Sequence, residues 1–425
     1  MDSCVDNGKL MGEKKDILTA KELNDIVEQT TNHDFEILDH YIRPACEEGL
    51  KGFVGDHFKM TVTVKECDRV RKMHLFIKTL PLVNKPKTDF IIENQFFKRE
   101  ALMFNLLEEM EDMDGQNSWY SKAFIHSDKL LVMPDLCVQG YEAYPTQRYF
   151  DKEHVLATAT SLARFHAAFA NYVSKKTAED CGYDFFDIYG DIVCEPPMSF
   201  CDSPWIRAAA KLSNNLLKEF SLKKHEYPTD LEEKLCKLFV KGCATLKEYK
   251  DTLNVIVHKD LWANNILFKY ESGKITNAVL LDFQCIRFAP PAFDVISLLY
   301  LSTSRDFRER YGNQVLRQYY SEFKDNLNEL TTRRLQDLGY DEESFLDWVE
   351  KARLFGMLVA IAIFPYALME PSAAQKAFDN PDTYVEYLEV DRSVPVLAHA
   401  RENSHYKIRQ LEVCEEFVER FVSTS

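Results

Sequence analysis

The sequence predicts an α+β protein in two unequal parts, and three observations point to it. Alternating strand patterns crowd the first third, helical patterns dominate from about residue 137 onward, and one hairpin pattern interrupts those helices between Ile266 and Leu281. A chain of 425 residues is long enough for two lobes. The expected division is a disordered polar tail over 1–18, a β-rich lobe over 19–136 and a mainly helical lobe over 137–425, joined by a short connector.

Composition narrows the partners. The formal charge is -16, with 52 Lys+Arg against 68 Asp+Glu and no basic run, which argues against nucleic acid or an anionic membrane. The cysteines stand singly, are odd in number and form no C-x-x-C pair, so neither a zinc site nor a disulfide framework is expected. Free thiols in a reducing compartment fit better. The opening "MDSCVDNGKLMGEKKD" lacks the apolar core of a signal peptide, and Asp2 stands where myristoylation needs glycine. The longest apolar run, Leu354 to Phe364, is too short to span a bilayer and reads as a central core helix ended by Pro365. A cytoplasmic protein is the expectation.

The elements follow in order. Thr19 and Glu22 in "TAKE" form a capping box that opens a short amphipathic helix. In "KMTVTVK" Met60, Val62 and Val64 alternate with polar residues, "ECDRVRK" turns the chain, and "MHLFIK" returns as a more buried strand. Gly49, Gly52 and Gly55 precede that hairpin. From Glu93 to Met110 apolar residues recur at helical spacing around Glu100, "KLLVMPDL" is a short buried strand, and "LATATSLARFHAAFA" puts Leu162, Phe165, His166 and Phe169 on one helix face. "NILFKY", the turn "ESGK" and "ITNAVLLDF" form the embedded hairpin, which Pro290 and Pro291 close off.

Chemistry concentrates around "VHKDLWANN". Asn265 begins one hairpin strand and Asp282 ends the other, so the two should lie side by side with Asp260 in the loop before them. Two carboxylates and an amide at one mouth would repel unless a cation sits among them, and such hard oxygen ligands suit Mg²⁺ carrying substrate phosphates. Asp260 is then left as a base. The spacing His258-x-Asp260-x-x-x-x-Asn265 followed by Asp282 matches the phosphoryl-transfer pattern of a catalytic loop and a metal aspartate. That pattern also asks for a glycine turn, a strand lysine and a helix glutamate, and Gly52 with Gly55, Lys78 and Glu100 appear in that order. Singly each is ordinary: a turn, a strand-end lysine, a solvated helix face. His258 and His166 read as core histidines. Asn264 adjoins Asn265, and spacing alone favours the latter.

"VHKDLWANNILF", "LLDFQ", "LFIKTLP" and "LVMPDL" resemble the ecdysteroid kinase-like family of insects, a branch of the choline and aminoglycoside kinase group, over nearly the whole chain. The resemblance implies a two-lobed protein-kinase-like fold and an ATP-dependent transfer of phosphate to an alcohol, with ATP and Mg²⁺ as cofactors. It implies Asp260 as catalytic base, Asn265 and Asp282 as Mg²⁺ ligands, and Lys78, held by Glu100, on the α/β-phosphates. Gly52 and Gly55 would cover phosphate, and Val132, Met133 and Asp135 would line the adenine pocket. His258, Trp262, Gln284 and Asp294 would support the site, Asp294 by bracing the catalytic loop. Trp262 and Gln284 replace the lysine and glycine of protein kinases, and no A-P-E segment follows, so a protein substrate is not expected. Two positions depart from the family: Lys259 where glycine is usual and Pro134 where glutamate is common.

The implied acceptor is an ecdysteroid or a similar hydroxylated metabolite or xenobiotic, bound by the helical part, where Tyr183, Phe185, Phe186, Tyr189, Phe200 and Trp205 are candidates for its walls or simply for core. Two alternatives stay open at this point: a nucleotide-binding pseudokinase acting as a ligand-binding module, and a choline- or ethanolamine-type kinase.

Overall fold

The Glu22 N–H donates to the Thr19 hydroxyl while the Glu22 carboxylate accepts from the Thr19 N–H, and helix α1 (Ala20–Glu28) follows from this reciprocal cap. The computed structural model describes residues 17–46, 54–81, 83–110, 118–194, 196 and 200–422. Most of the expected tail, and Gly49 and Gly52, lie outside these residues.

After α1 come β1 (Phe35–Pro44), β2 (Asp56–Glu66), β3 (Arg69–Thr79), α2 (Lys85–Glu93), α3 (Phe96–Glu109), β4 (Ile125–His126) and β5 (Leu130–Pro134). The strands form one antiparallel sheet in the order β1-β2-β3-β5-β4. Strand β1 was not foreseen, and its presence makes β3, which carries Lys78, the third strand. Period-two alternation sorts the sheet's faces. Leu23, Ile26 and Val27 of α1 pack on Met60, Val62, Val64, Leu75, Ile77 and Val132, while Phe76, Lys78, Leu131 and Met133 face the other way. The helix expected from Glu93 to Met110 is present as α3, starting at Phe96 after Gln95 at φ +55°, and a separate helix, α2, that was not foreseen precedes it.

Next are β6 (Tyr141–Ala143), α4 (Lys152–Glu179), α5 (Phe185–Val193), α6 (Pro204–Phe220), α7 (Leu231–Cys243), β7 (Val255–Val257), β8 (Ile266–Glu271), β9 (Lys274–Leu280) and β10 (Arg287–Ala289). The predicted hairpin is β8–β9, turned at Ser272 and Gly273, both at positive φ as a tight hairpin turn requires. It is not alone among the helices, because β6 joins it as a third strand and β7 pairs with β10. The chain continues with α8 (Ala292–Ser302), α9 (Arg305–Asp325), α10 (Glu329–Asp337), α11 (Glu342–Ala367), α12 (Pro371–Phe378), α13 (Ser393–Glu402) and α14 (Ser404–Phe417). The α+β class is therefore as predicted.

Helix α11 contains the predicted core run, but Pro365 lies inside its last turn and the helix ends at Ala367. A proline there forfeits one hydrogen bond near an end where the ladder is already closing. Among the described residues no single helix is long and apolar enough to cross a membrane. α11 packs on the wholly buried α8, and Gly356 sets how closely. A Cβ at Gly356 would overlap the Ile296 methyl Cγ2 and lie 3.2 Å from the Ile296 carbonyl carbon. Since α8 also carries Asp294, this contact bears on the site. Gly356→Ala is expected to lower the unfolding free energy by about 2 kcal/mol in urea titration, and an unchanged midpoint would mean that the helices separate without cost.

Candidate active site

The ammonium of Lys78 is 3% exposed and lies where the sheet meets the helical part. It donates to Glu100 Oε2 at 2.7 Å from α3, to Asp282 Oδ1 at 2.6 Å and to Gln284 Oε1 at 2.8 Å. Burial opposes its charge, but Asp282 and Glu100 outweigh burial and hold its pKa above the ordinary lysine value. Two carboxylates share this one ammonium. Burial together with the Asp282 charge accordingly raises Glu100 to about 7, with Lys78 opposing. Gln284 closes the knot by donating from Nε2 to Asp282 Oδ2 at 3.0 Å.

Asp282 follows β9 at φ +66°, a left-handed turn that lifts its carboxylate off the strand line. Asn265 precedes β8, and the Leu281 N–H donates to the Asn265 carbonyl at 2.9 Å, so the hairpin holds the two residues abreast as its register predicts. The Asn265 amide nitrogen donates to Asp260 twice, to the backbone oxygen at 2.9 Å and to Oδ2 at 3.0 Å. With both amide hydrogens used, its oxygen is the atom left for a cation. Asp260 Oδ1 is buried with no hydrogen-bond partner. Burial and the nearby Asp282 push the Asp260 carboxyl up to about 7, against the lowering influence of Trp262, Lys259 and Asn265. A carboxylate pair with an orphaned oxygen fits a hard divalent cation.

The loop that presents Asp260 is hung from Asp294, which is fully buried in the first turn of α8. Its Oδ1 accepts from the Lys259 N–H at 2.6 Å and its Oδ2 from the His258 N–H at 2.5 Å and from His166 Nε2 at 3.1 Å. His166 Nδ1 meets the Tyr319 hydroxyl at 2.6 Å, so this histidine buttresses the brace. His258 Nε2 faces the Leu281 carbonyl at 2.8 Å, while its Nδ1 accepts from the Asp260 N–H at 3.3 Å. Those two bonds require a neutral ring, in line with burial, which lowers its pKa. His258 thus links the loop to the end of β9.

Two clefts share Asn265 and Asp282 as wall residues. The first, about 950 Å³, runs beneath the sheet past Phe76, Lys78, Leu131, Met133 and Asp135. Val132, expected to line it, instead faces α1, because successive strand residues alternate between faces. Pro134 has no N–H, and the Asp135 N–H donates to the His74 carbonyl at 2.9 Å. Neither offers a donor to a base. The Asp135 carboxylate caps Cys137 and pairs with Lys59 at 2.8 Å. Gly55 is at φ +88° with Thr79 O only 2.8 Å from where a Cβ would stand, so close approach to β3 explains it; it lines neither cleft. Gly52 is outside the described residues.

The second cleft, about 980 Å³, reaches Asp260 and is walled by Phe90, Phe96, Phe200, Trp205, Tyr366 and Tyr384. Trp262 lines it as well. Of the aromatics singled out in the sequence, Phe200 and Trp205 are present, whereas the buried Phe185 meets Phe288 and Tyr189 at a tilt and the half-buried Phe186 stacks on Phe288, away from the cleft. Gln284's bond to Lys78 and the walls from α2, α3 and the region 363–388 carried no local signal. Asn264 lines the first cleft without bonding Asp260, which separates it from Asn265.

Removing the Asp294 carboxylate strands two backbone N–H groups and His166 in a fully buried place. Asp294→Ala should therefore cost about 3 kcal/mol or more of stability, and Asp294→Asn, which keeps one acceptor, less. Equal urea midpoints for wild type and Asp294→Ala would show that the loop is held by other means.

Comparison with known proteins places the chain among kinase-like proteins. It matches an uncharacterised kinase-like protein of Caenorhabditis elegans at 38% identity over 74 residues, which is 17% of this chain and 19% of that relative. Among solved structures, a choline kinase of Streptococcus pneumoniae aligns at 13% identity over 89% of this chain and 98% of its own, with TM-score 0.38. A GDP complex of aminoglycoside 2'-phosphotransferase-IIIa aligns at 12% identity over 93% and 97%, with TM-score 0.33. The model of the ecdysteroid kinase-like family matches residues 50–332, well over half the chain. The protein belongs to the ecdysteroid kinase-like family.

Proposed function

We propose that the chain is an ATP-dependent small-molecule O-kinase that phosphorylates a hydroxyl of an ecdysteroid or a similar hydroxylated metabolite or xenobiotic. The observation that carries this reading is the meeting of two clefts at Asn265 and Asp282, with the Asp260 carboxylate facing the second. One cleft offers a lysine to phosphates; the other offers apolar walls to an alcohol.

In this reading the nucleotide lies beneath the sheet and Lys78 turns from Asp282 to the α/β-phosphates while Glu100 keeps hold of it. Asn265 through its amide oxygen and Asp282 through its carboxylate hold Mg²⁺, which when bound neutralises phosphate charge. Asp260 accepts a hydrogen bond from the acceptor hydroxyl and aligns it with the γ-phosphorus. As the new O–P bond forms and the bond to the ADP oxygen breaks, the hydroxyl proton passes to Asp260. A carboxyl raised toward 7 by burial suits that late transfer. Trp262 and the aromatic walls keep water from the acceptor side. The lysine and glycine that protein kinases carry are replaced by Trp262 and Gln284, which favours a small acceptor over a protein. The described cysteines are free, which suits a cytoplasmic location.

A second reading is a nucleotide- or ligand-binding module without turnover, motivated by Lys259, whose charge lowers the basicity of Asp260, and by Pro134, which like the sheet-bonded Asp135 offers a base no N–H. The two are separated by incubating the protein with MgATP and, in turn, ecdysone, choline, an aminoglycoside and an insect metabolite extract, then searching for phosphorylated product by mass spectrometry. The kinase reading expects a product with wild type and a loss of about 100-fold or more in Asp260→Asn, with MgATP binding retained. Binding without product from any acceptor would favour the module, and normal turnover in Asp260→Asn would remove Asp260 from the role of base.

A further inference from the structure

Gln284 makes a hydrogen bond that the buried ammonium beside it does not need. The hydrogens of Lys78 Nζ go to Glu100, to Asp282 and to Gln284 Oε1, and this last bond alone would account for an amide at that place. Yet Gln284 Nε2 also donates to Asp282 Oδ2 at 3.0 Å, which adds nothing to Lys78. The direction of the amide follows from its partners, since an ammonium only donates and a carboxylate only accepts. Its place is secured as well. Gln284 is 5% exposed, and its carbonyl accepts from Arg99 Nη1 at 3.4 Å.

The same device recurs at the other acid of the mouth. Asn265 Nδ2 donates to Asp260 Oδ2 at 3.0 Å, while Asp260 Oδ1 has no hydrogen-bond partner. Each carboxylate therefore has its Oδ2 tied to a side-chain amide. Oδ1 of Asp282 carries Lys78 at 2.6 Å, and in the reading proposed above it comes free when Lys78 turns to the phosphates. To centre both oxygens on one cation, Asp282 would have to swing off Gln284 and break a charge-assisted bond. Held as it is, the edge offers single oxygens, Oδ1 of Asp282 and the amide oxygen of Asn265. That distinction separates cations. Mg²⁺ keeps a near-octahedral set of single oxygens, many of them from phosphate and water, whereas Ca²⁺ takes about six to eight and accepts two from one carboxylate readily.

We propose that Gln284 is a positioning residue that makes this edge select Mg²⁺ over Ca²⁺ by leaving Asp282 only one oxygen to offer. The inference rests on the reading that Asn265 and Asp282 hold the metal, and it goes further by assigning the cation preference and the side chain that enforces it. An amide suits the task because it serves an ammonium and a carboxylate at once without adding charge.

The test needs no turnover. The full chain, in excess over a non-hydrolysable ATP analogue, is loaded with Mn²⁺, and the bound Mn²⁺ is followed by electron paramagnetic resonance while Mg²⁺ or Ca²⁺ displaces it. Wild type is expected to release Mn²⁺ to Mg²⁺ at a concentration at least tenfold lower than to Ca²⁺. In Gln284→Met, which keeps the length of the side chain and loses both bonds, that ratio should fall at least fivefold, mainly through tighter binding of Ca²⁺. Gln284→Ala provides a second variant if Gln284→Met does not fold. A role in packing alone would weaken both cations alike and leave the ratio where it was. No preference in wild type, or Mn²⁺ binding that is lost in Asp282→Ala while the ratio ignores Gln284, would overturn this proposal and leave the kinase reading in place. No Mn²⁺ held by the nucleotide-loaded chain would overturn the proposal together with the metal assignment. A ratio shifted as expected without phosphate transfer to any acceptor would leave the proposal standing and count against the kinase reading alone.

Discussion

The buried ammonium of Lys78 is the interaction on which the rest of the site depends. It belongs to the sheet, yet its partners come from α3, from the turn after β9 and from the residue two beyond that turn. A charge this deeply buried persists only when it is paired and hydrogen-bonded, and here it has three acceptors. Because the two carboxylates among them, Glu100 and Asp282, share one positive charge, the knot carries an excess of negative charge. Burial first, and then that excess, raises Glu100 and Asp260 toward neutrality, and the excess gives a divalent cation something to neutralise.

A second anchor works from the opposite side. Asp294 holds the backbone of the loop that presents Asp260, and its own position depends on α8, which α11 meets at Gly356. The core of the helical part therefore reaches the reacting centre through one carboxylate, and His166 and Tyr319 hold that carboxylate in turn. The same support accompanies the left-handed backbone at Lys259, whose side chain enters the aromatic-walled second cleft.

What could be read in advance divides along physical lines. Asp260, Asn265 and Asp282 were legible because a short hairpin with a two-residue turn fixes its own register and brings its open ends together. Lys78 and Glu100 could be ordered along the chain, though their contact, 22 residues apart, could not be measured from it. Val132 went to the wrong side because the strand was recognised but its facing was not. Strand β1 escaped because it is an edge strand exposed along most of its length, without the alternation that marks a half-buried strand. The start of α3 at Phe96 has no glycine or proline to announce it, since Gln95 takes the left-handed conformation itself. The aromatic-walled second cleft was the least legible part. Its walls come from residues as far apart as Val54 and Leu388, and an aromatic residue bound for a cleft looks in sequence like one bound for the core.

In the proposed reading Asn265 and Asp282 form the metal-binding edge of a nucleotide cleft governed by Lys78. Crystals grown with Mn²⁺ and a non-hydrolysable ATP analogue would test it through the metal's anomalous signal. A peak is expected between the Asn265 amide oxygen and the Asp282 carboxylate, with phosphate oxygens on Lys78 and the base beneath the sheet beside Met133. A metal bound elsewhere, or a nucleotide lying outside the cleft while Lys78 stays on Asp282, would contradict it.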